Sequence, residues 1–89
     1  MFGLFKVERR LLISKLNIGD HILYTDKNLN HLNSDVCAYA GTEGEIFDIW
    51  EDGISIFTGS SYLVVPLKIK GRKKSVNVIY KGISYYLTS

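Results

Sequence analysis

One cysteine, one proline and two histidines are all that this chain of 89 residues offers of the residue types that staple, kink or catalyse. The lone Cys37 excludes an intrachain disulfide, so a small fold of this size lacks the cross-links that secreted domains usually need. A reducing, cytoplasmic setting is therefore expected. No apolar run approaches the length of a membrane span, and the leading MFGLFKVERR has no unbroken apolar stretch followed by a small-residue cleavage site. Neither a spanning helix nor a signal peptide is expected. Acid is absent from one region altogether: residues 68 to 89 hold six bases and no carboxylate.

What is present is a globular composition. The chain is 46% hydrophobic and 22% charged, with six Tyr, four Phe and one Trp, which argues against disorder. A chain this short buries only roughly 60–65% of its unfolded surface, enough for one core and one domain. Net charge is +2, but it is unevenly spread: +3 over residues 1 to 15, −7 over 16 to 67 and +6 over 68 to 89. Either the ends of the chain pair electrostatically across a compact fold, or the basic stretch forms a functional face.

Apolar spacing follows a period of two, not 3.6, which predicts an all-β protein. In GEIFDIW, Ile46 and Trp50 share one parity, and Phe47 and Ile49 take the other. Asp52-Gly53 then predicts a type I′ turn, whose central residues both need positive φ, into the strand ISIFT. A hairpin over 44–50 and 53–58 follows. Gly59-Ser60-Ser61 leads into YLVVPL, where Pro66 marks an edge position or a strand end. Beyond a basic turn around Gly71, Val76, Val78 and Tyr80 share one face, Lys81-Gly82 breaks the pattern, and Ile83, Tyr85 and Leu87 alternate again, predicting a closing hairpin over 75–88. Upstream, Gly19-Asp20 punctuates and Ile22 alternates with Tyr24. Residues 25 to 43 read as a long polar loop of the kind that often carries function. For residues 1 to 15 an N-terminal arm and a short helix fit equally: Leu4, Val7 and Leu11 have helical spacing, whereas Phe5, Val7, Leu11 and Ile13 share a strand parity.

Five to seven short antiparallel strands with frequent turns suggest a small, closed or partly open barrel. The order IGDHILY, a variable loop, then GTEGEIFDIWEDGISIF resembles SH3-like barrels over residues 19 to 67: a Gly-Asp lead-in to the first strand, Gly41 and Gly44 opening the second, and a hairpin into the third. The resemblance implies a binding module for peptides, proteins or nucleic acids, with the 25–43 loop as a binding loop. Fold alone selects none of these partners.

Catalytic chemistry finds little footing. His21 and His31 sit in no nucleophile or acid–base motif, and with Cys37 they make three candidate ligands at spacings that do not suit zinc. No catalytic residue, metal or cofactor is expected. Asp48, Glu51 and Asp52 at a hairpin read as solvated charges. Gly41-Thr42-Glu43-Gly44 lacks the following helix that would present a dipole to phosphate, and Glu43 would repel an anion.

Two binding readings remain. The favoured one is a non-catalytic protein-binding or accessory module using the 25–43 loop and an aromatic rim, with Trp50, Asp52, Tyr62 and Asp35 as partner-binding residues. The alternative is nucleic-acid binding through KIKGRKK, where Lys68, Lys70, Arg72, Lys73 and Lys74 would meet phosphates and Tyr80, Tyr85 or Tyr86 would stack on bases. Against it, Lys-rich turns also protect strand edges from aggregation.

Overall fold

The structure is a computed structural model that describes residues 9–27 and 36–89. It is all-β. Seven strands form one sheet in the order β1-β9-β8-β2-β3-β4-β5, and β6 and β7 form a separate two-stranded ribbon. In chain order the strands are β1 Arg10–Leu12, β2 His21–Tyr24, β3 Glu43–Trp50, β4 Gly53–Phe57, β5 Tyr62–Pro66, β6 Lys68–Ile69, β7 Arg72–Lys73, β8 Val76–Tyr80 and β9 Ile83–Thr88.

The expected antiparallel pattern holds for every neighbouring pair in the large sheet but one. β1 runs parallel to β9, with Arg10 opposite Tyr86 and Leu12 opposite Thr88. The sheet is not closed as a barrel, because β1 and β5 end it as edges. It still buries one face. No helix layer lies over the described strands, so a single sheet hides its apolar side only by curling on itself. Ile54, Ile56 and Val65 from one half and Val76, Val78 and Leu87 from the other accordingly belong to one core cluster with Ile22, Tyr24 and Ile46. Each such aliphatic side chain contributes roughly 1.5–3 kcal/mol when fully buried.

Of residues 1 to 15, the described part combines a short strand with a single helical turn. Arg10–Leu12 is a strand, Ile13–Lys15 is one turn of 3-10 helix, and Leu11 and Ile13 reach the core. The strand parity of Leu11 and Ile13 thus prevails over the helical spacing, whose Leu4 and Val7 lie outside the described residues.

Two local expectations are corrected at the β3–β4 hairpin. Trp50 pairs with Gly53, so the turn consists of Glu51-Asp52, neither of which has positive φ. Gly53 is a strand residue instead. A Cβ there would lie 2.7 Å from the Val65 carbonyl oxygen, so close strand approach, not turn geometry, requires the glycine. The I′ signature appears at Lys70-Gly71 and Lys81-Gly82, where both residues of each two-residue loop have positive φ. Further along, the register shifts between Ile46 and Asp48, leaving Phe47 as an extra residue in β3. This bulge resets the alternation. Ile46 is buried and Ile49 packs on the core, while Phe47 and Trp50 are exposed, so Ile46 and Trp50 do not share a face.

The chain from Val36 to Thr42, the described end of the long polar loop, is tied to both sides of the fold. Val64 donates its amide to Val36 and accepts from Ala38, and Tyr24 donates to Thr42 and accepts from Gly41. The segment therefore runs along the β5 edge towards β2. His31 and Asp35 lie outside the described residues.

Candidate partner-binding surface

The bulge and the restored alternation place three cross-strand rows on the outer face of β3, β4 and β5. Glu45, Phe57 and Tyr62 form one row, Asp48, Ser55 and Val64 the next, and Trp50, Gly53 and Pro66 the third. Phe47, pushed outward by the bulge, packs its ring edge-on to Tyr62 at 4.7 Å between centroids, and Tyr62 in turn lies 4.7 Å from Phe57. Phe47 is 55% exposed, Tyr62 54% and Trp50 41%, although β4 beneath them is buried as far as Ile56. Large aromatics left exposed on one face make it the candidate interaction surface.

Two of the expected partner-binding residues, Trp50 and Tyr62, therefore lie on one face, and Asp52 is exposed in the turn beside Trp50. Phe47 was missed. In the sequence its parity assigned it to the side opposite Trp50, and only the bulge brings the two together. Carboxylates flank the aromatics: Glu45 is exposed, Asp48 is half-buried with Oδ1 accepting the Ile49 amide, and Glu51 and Asp52 cap the hairpin.

The basic stretch begins where this face ends. Leu67 donates its amide to the Asp52 carbonyl at 2.7 Å, and Lys74 donates to the Leu67 carbonyl at 2.8 Å, closing the base of a ribbon that carries residues 68 to 73 outward. Lys68 faces Lys73 in register and Ile69 faces Arg72. Lys68, Lys70, Arg72, Lys73 and Lys74 are all exposed. Among the described residues none of the five forms an ion pair with a carboxylate. Of the tyrosines considered for base stacking, Tyr80 is buried and its hydroxyl donates to Asp20, Tyr85 is half-buried, and Tyr86 is exposed opposite Asn77.

A second polar cluster lines a cleft of about 260 Å³ between the start of β2 and the β8–β9 turn, with Asp20, His21, Glu43, Tyr80 and Lys81 among its walls. Its groups serve one another. The Tyr80 hydroxyl, opposed by burial and aided by the Asn17 amide and Lys81, holds the Asp20 carboxyl below its ordinary value. The same hydrogen bond, with burial and the Asp20 charge, pushes the Tyr80 phenol up to about 12. His21 Nε2 and Glu43 Oε2 are 2.8 Å apart, both exposed, and such a pair is worth little to stability. Among the described residues no three His, Cys, Asp or Glu side chains gather closely enough to hold a metal. Cys37 is a half-buried free thiol. Among them too, no helix is long and apolar enough to cross a membrane.

No family model, curated protein or solved structure matches this chain.

Proposed function

We propose that this chain is a non-catalytic binding module, related to SH3-like barrels in its strand order over residues 19 to 67, that takes up a protein partner on the outer face of β3, β4 and β5. One observation carries the reading: Phe47, Trp50 and Tyr62 share that face and are each at least two-fifths exposed. Trp50 and Tyr62 anchor the partner, and Asp52 and Glu51 select its charge at the rim. Asp35 joins them if the loop reaches the face. The lone thiol and the absence of an intrachain disulfide support a cytoplasmic working place. Affinity capture from the native host with the wild-type chain and with Phe47→Ala, Trp50→Ala and Tyr62→Ala tests the reading. A stoichiometric protein retained by the wild type and lost from these variants is the expected result. Equal retention by all four removes the face from consideration.

A second reading, nucleic-acid binding by the ribbon, is favoured by the register that sets Lys68 directly across from Lys73. Like charges placed opposite each other destabilise a strand pair, and a polyanion would offset that cost. Five cations would give a slope of about −4.5 in log affinity against log salt on duplex DNA. Oligonucleotide binding that is undetectable at low salt ends this reading.

A further inference from the structure

We propose that the occupant of the aromatic face is a second copy of this chain, related to the first by a two-fold axis that runs between the β3–β4 hairpin tip and the basic ribbon. The inference rests on reading that face as a protein interface, and it names the partner. Its ground is the adjacency of two opposite charge clusters. Glu51 and Asp52 lie at the tip with Asp48 one row further in on the same outer face, the five cations of residues 68 to 74 lie on the ribbon, and the Leu67-to-Asp52 hydrogen bond holds the two clusters side by side.

Adjacent patches of opposite sign are self-complementary across a two-fold. In an isologous contact, a group on one side of the axis meets the group at the same distance on the other side, so each acidic tip faces the partner copy's ribbon. Other occupants fit less well. A polyanion drawn to the ribbon meets the carboxylates next to it, and a polycation drawn to the tip meets the ribbon. A second copy answers both clusters at once. Long-range repulsion between copies is small, because the chain carries a net charge of only +2. Trp50 sits in the row nearest the junction, next to the acidic turn and across Gly53 from Pro66, the residue that leads to the ribbon. Near the axis two Trp50 side chains would meet or flank each other, the arrangement in which an aromatic anchor is fully desolvated.

Sedimentation velocity of the full chain over a concentration series, at low and high salt, tests this. A dimer is expected that weakens with salt and whose dissociation constant rises roughly 30-fold or more on Trp50→Ala. Reversing the tip (Asp48→Lys, Glu51→Lys, Asp52→Lys) leaves a monomer, as does reversing the ribbon (Lys68→Glu, Arg72→Glu, Lys73→Glu, Lys74→Glu). Mixing the two reversed chains restores a one-to-one heterodimer, because each tip again meets a ribbon of opposite sign. Circular dichroism of each variant confirms that the sheet is intact. A wild-type chain that stays monomeric at low salt overturns the dimer whatever the variants do, and so does a mixture that fails to associate. Neither result touches the broader reading, since a different protein captured by the wild type and lost on Phe47→Ala would still support it.

Discussion

The hydroxyl of Tyr80, the last residue of β8, donates to the carboxylate of Asp20 in the turn ahead of β2, joining positions 60 residues apart. Asp20 also accepts the Asn17 amide at 3.1 Å, so one carboxylate pins both the turn and the strand end. Acid and alkali should each loosen this joint. The carboxyl is depressed when folded, so its contribution is present above its ordinary value of 3.8 and is lost as pH falls through the lower folded value. The phenol is raised, so its contribution is complete below 10.0 and is lost as pH rises through about 12. Tyr80→Phe should lower the melting temperature at neutral pH and flatten both limbs of the stability-against-pH curve. An unchanged acid limb would show that Asp20 does not draw its stabilisation from Tyr80.

Ultraviolet titration of the phenols gives an independent check. Six tyrosines are present. Tyr80 is one late titrator, and Tyr24, fully buried, is another, raised by burial first and then by the charges of Asp26 and Cys37. Two late steps are expected, and Tyr80→Phe should leave one. Among the described residues the Tyr24 hydroxyl finds no hydrogen-bond partner. Tyr24→Phe is therefore expected to keep or raise stability by about 1 kcal/mol, since it removes a desolvated group without stranding another. A loss of more than about 2 kcal/mol in urea unfolding would contradict that.

Gly44 lies in β3 without positive φ, opposite Ile22 on β2, and a Cβ there would overlap the Phe57 carbonyl. The nearest atoms are all backbone of Phe57 and Thr58, so no flexible side chain can move aside. Gly44→Ala should cost about 3 kcal/mol, the upper end for overpacking. Gly82→Ala, which meets only open space but must hold φ at 78, should cost about 1–2 kcal/mol. Denaturant melts of the two variants settle the order.

These glycines show what sequence reading can and cannot reach. The alternations of Val76, Val78, Tyr80 and of Ile83, Tyr85, Leu87 are period-two signals inside one hairpin, and the structure pairs them face to face. The β3–β4 hairpin is local too, and its pairing is as expected while its turn type and its alternation past Ile46 differ. Gly53 looks like a turn residue because Asp-Gly commonly is one. Its real constraint is the Val65 carbonyl on the next strand, which no local window contains. The parallel β1–β9 pairing joins opposite ends of the chain, and an open sheet differs from a closed one only in whether its two edges meet. The Phe47 bulge has the same character. It meets the curvature of the whole sheet, and it moves an aromatic onto the face that Trp50 and Tyr62 occupy.

The edge-on contact of Phe47 with Tyr62 crosses over β4 and depends on that bulge. A double-mutant cycle with Phe47→Ala and Tyr62→Ala should return a coupling of about 1 kcal/mol, the usual worth of an aromatic pair beyond its area. Additive effects would mean that the rings do not hold each other in solution.

The ribbon supplies the last prediction. Lys68 and Lys73 are directly opposite, Lys70 lies in the turn with Arg72 next to it, and no described carboxylate pairs with any of them. Such repulsion acts locally, because among the described residues the ribbon joins the large sheet through the Leu67 amide at its base and the packing of Ile69 on the core, while its charged side chains stay exposed. Lys73→Glu converts the repulsive pair into an attractive one and should stabilise the ribbon by about 0.5 kcal/mol at low salt. Hydrogen exchange of the ribbon amides is the measurement to use, since a locally fraying element leaves the global melt almost unmoved. Exchange should slow in the variant at low salt, and the difference should shrink as salt screens the wild-type repulsion. The sign separates two origins of the wild-type arrangement. Faster exchange in Lys73→Glu would mean that the five cations already gain from an arrangement that register alone does not show, whereas slower exchange means that they are held together at a cost to the free chain, as an element kept for an oppositely charged surface would be.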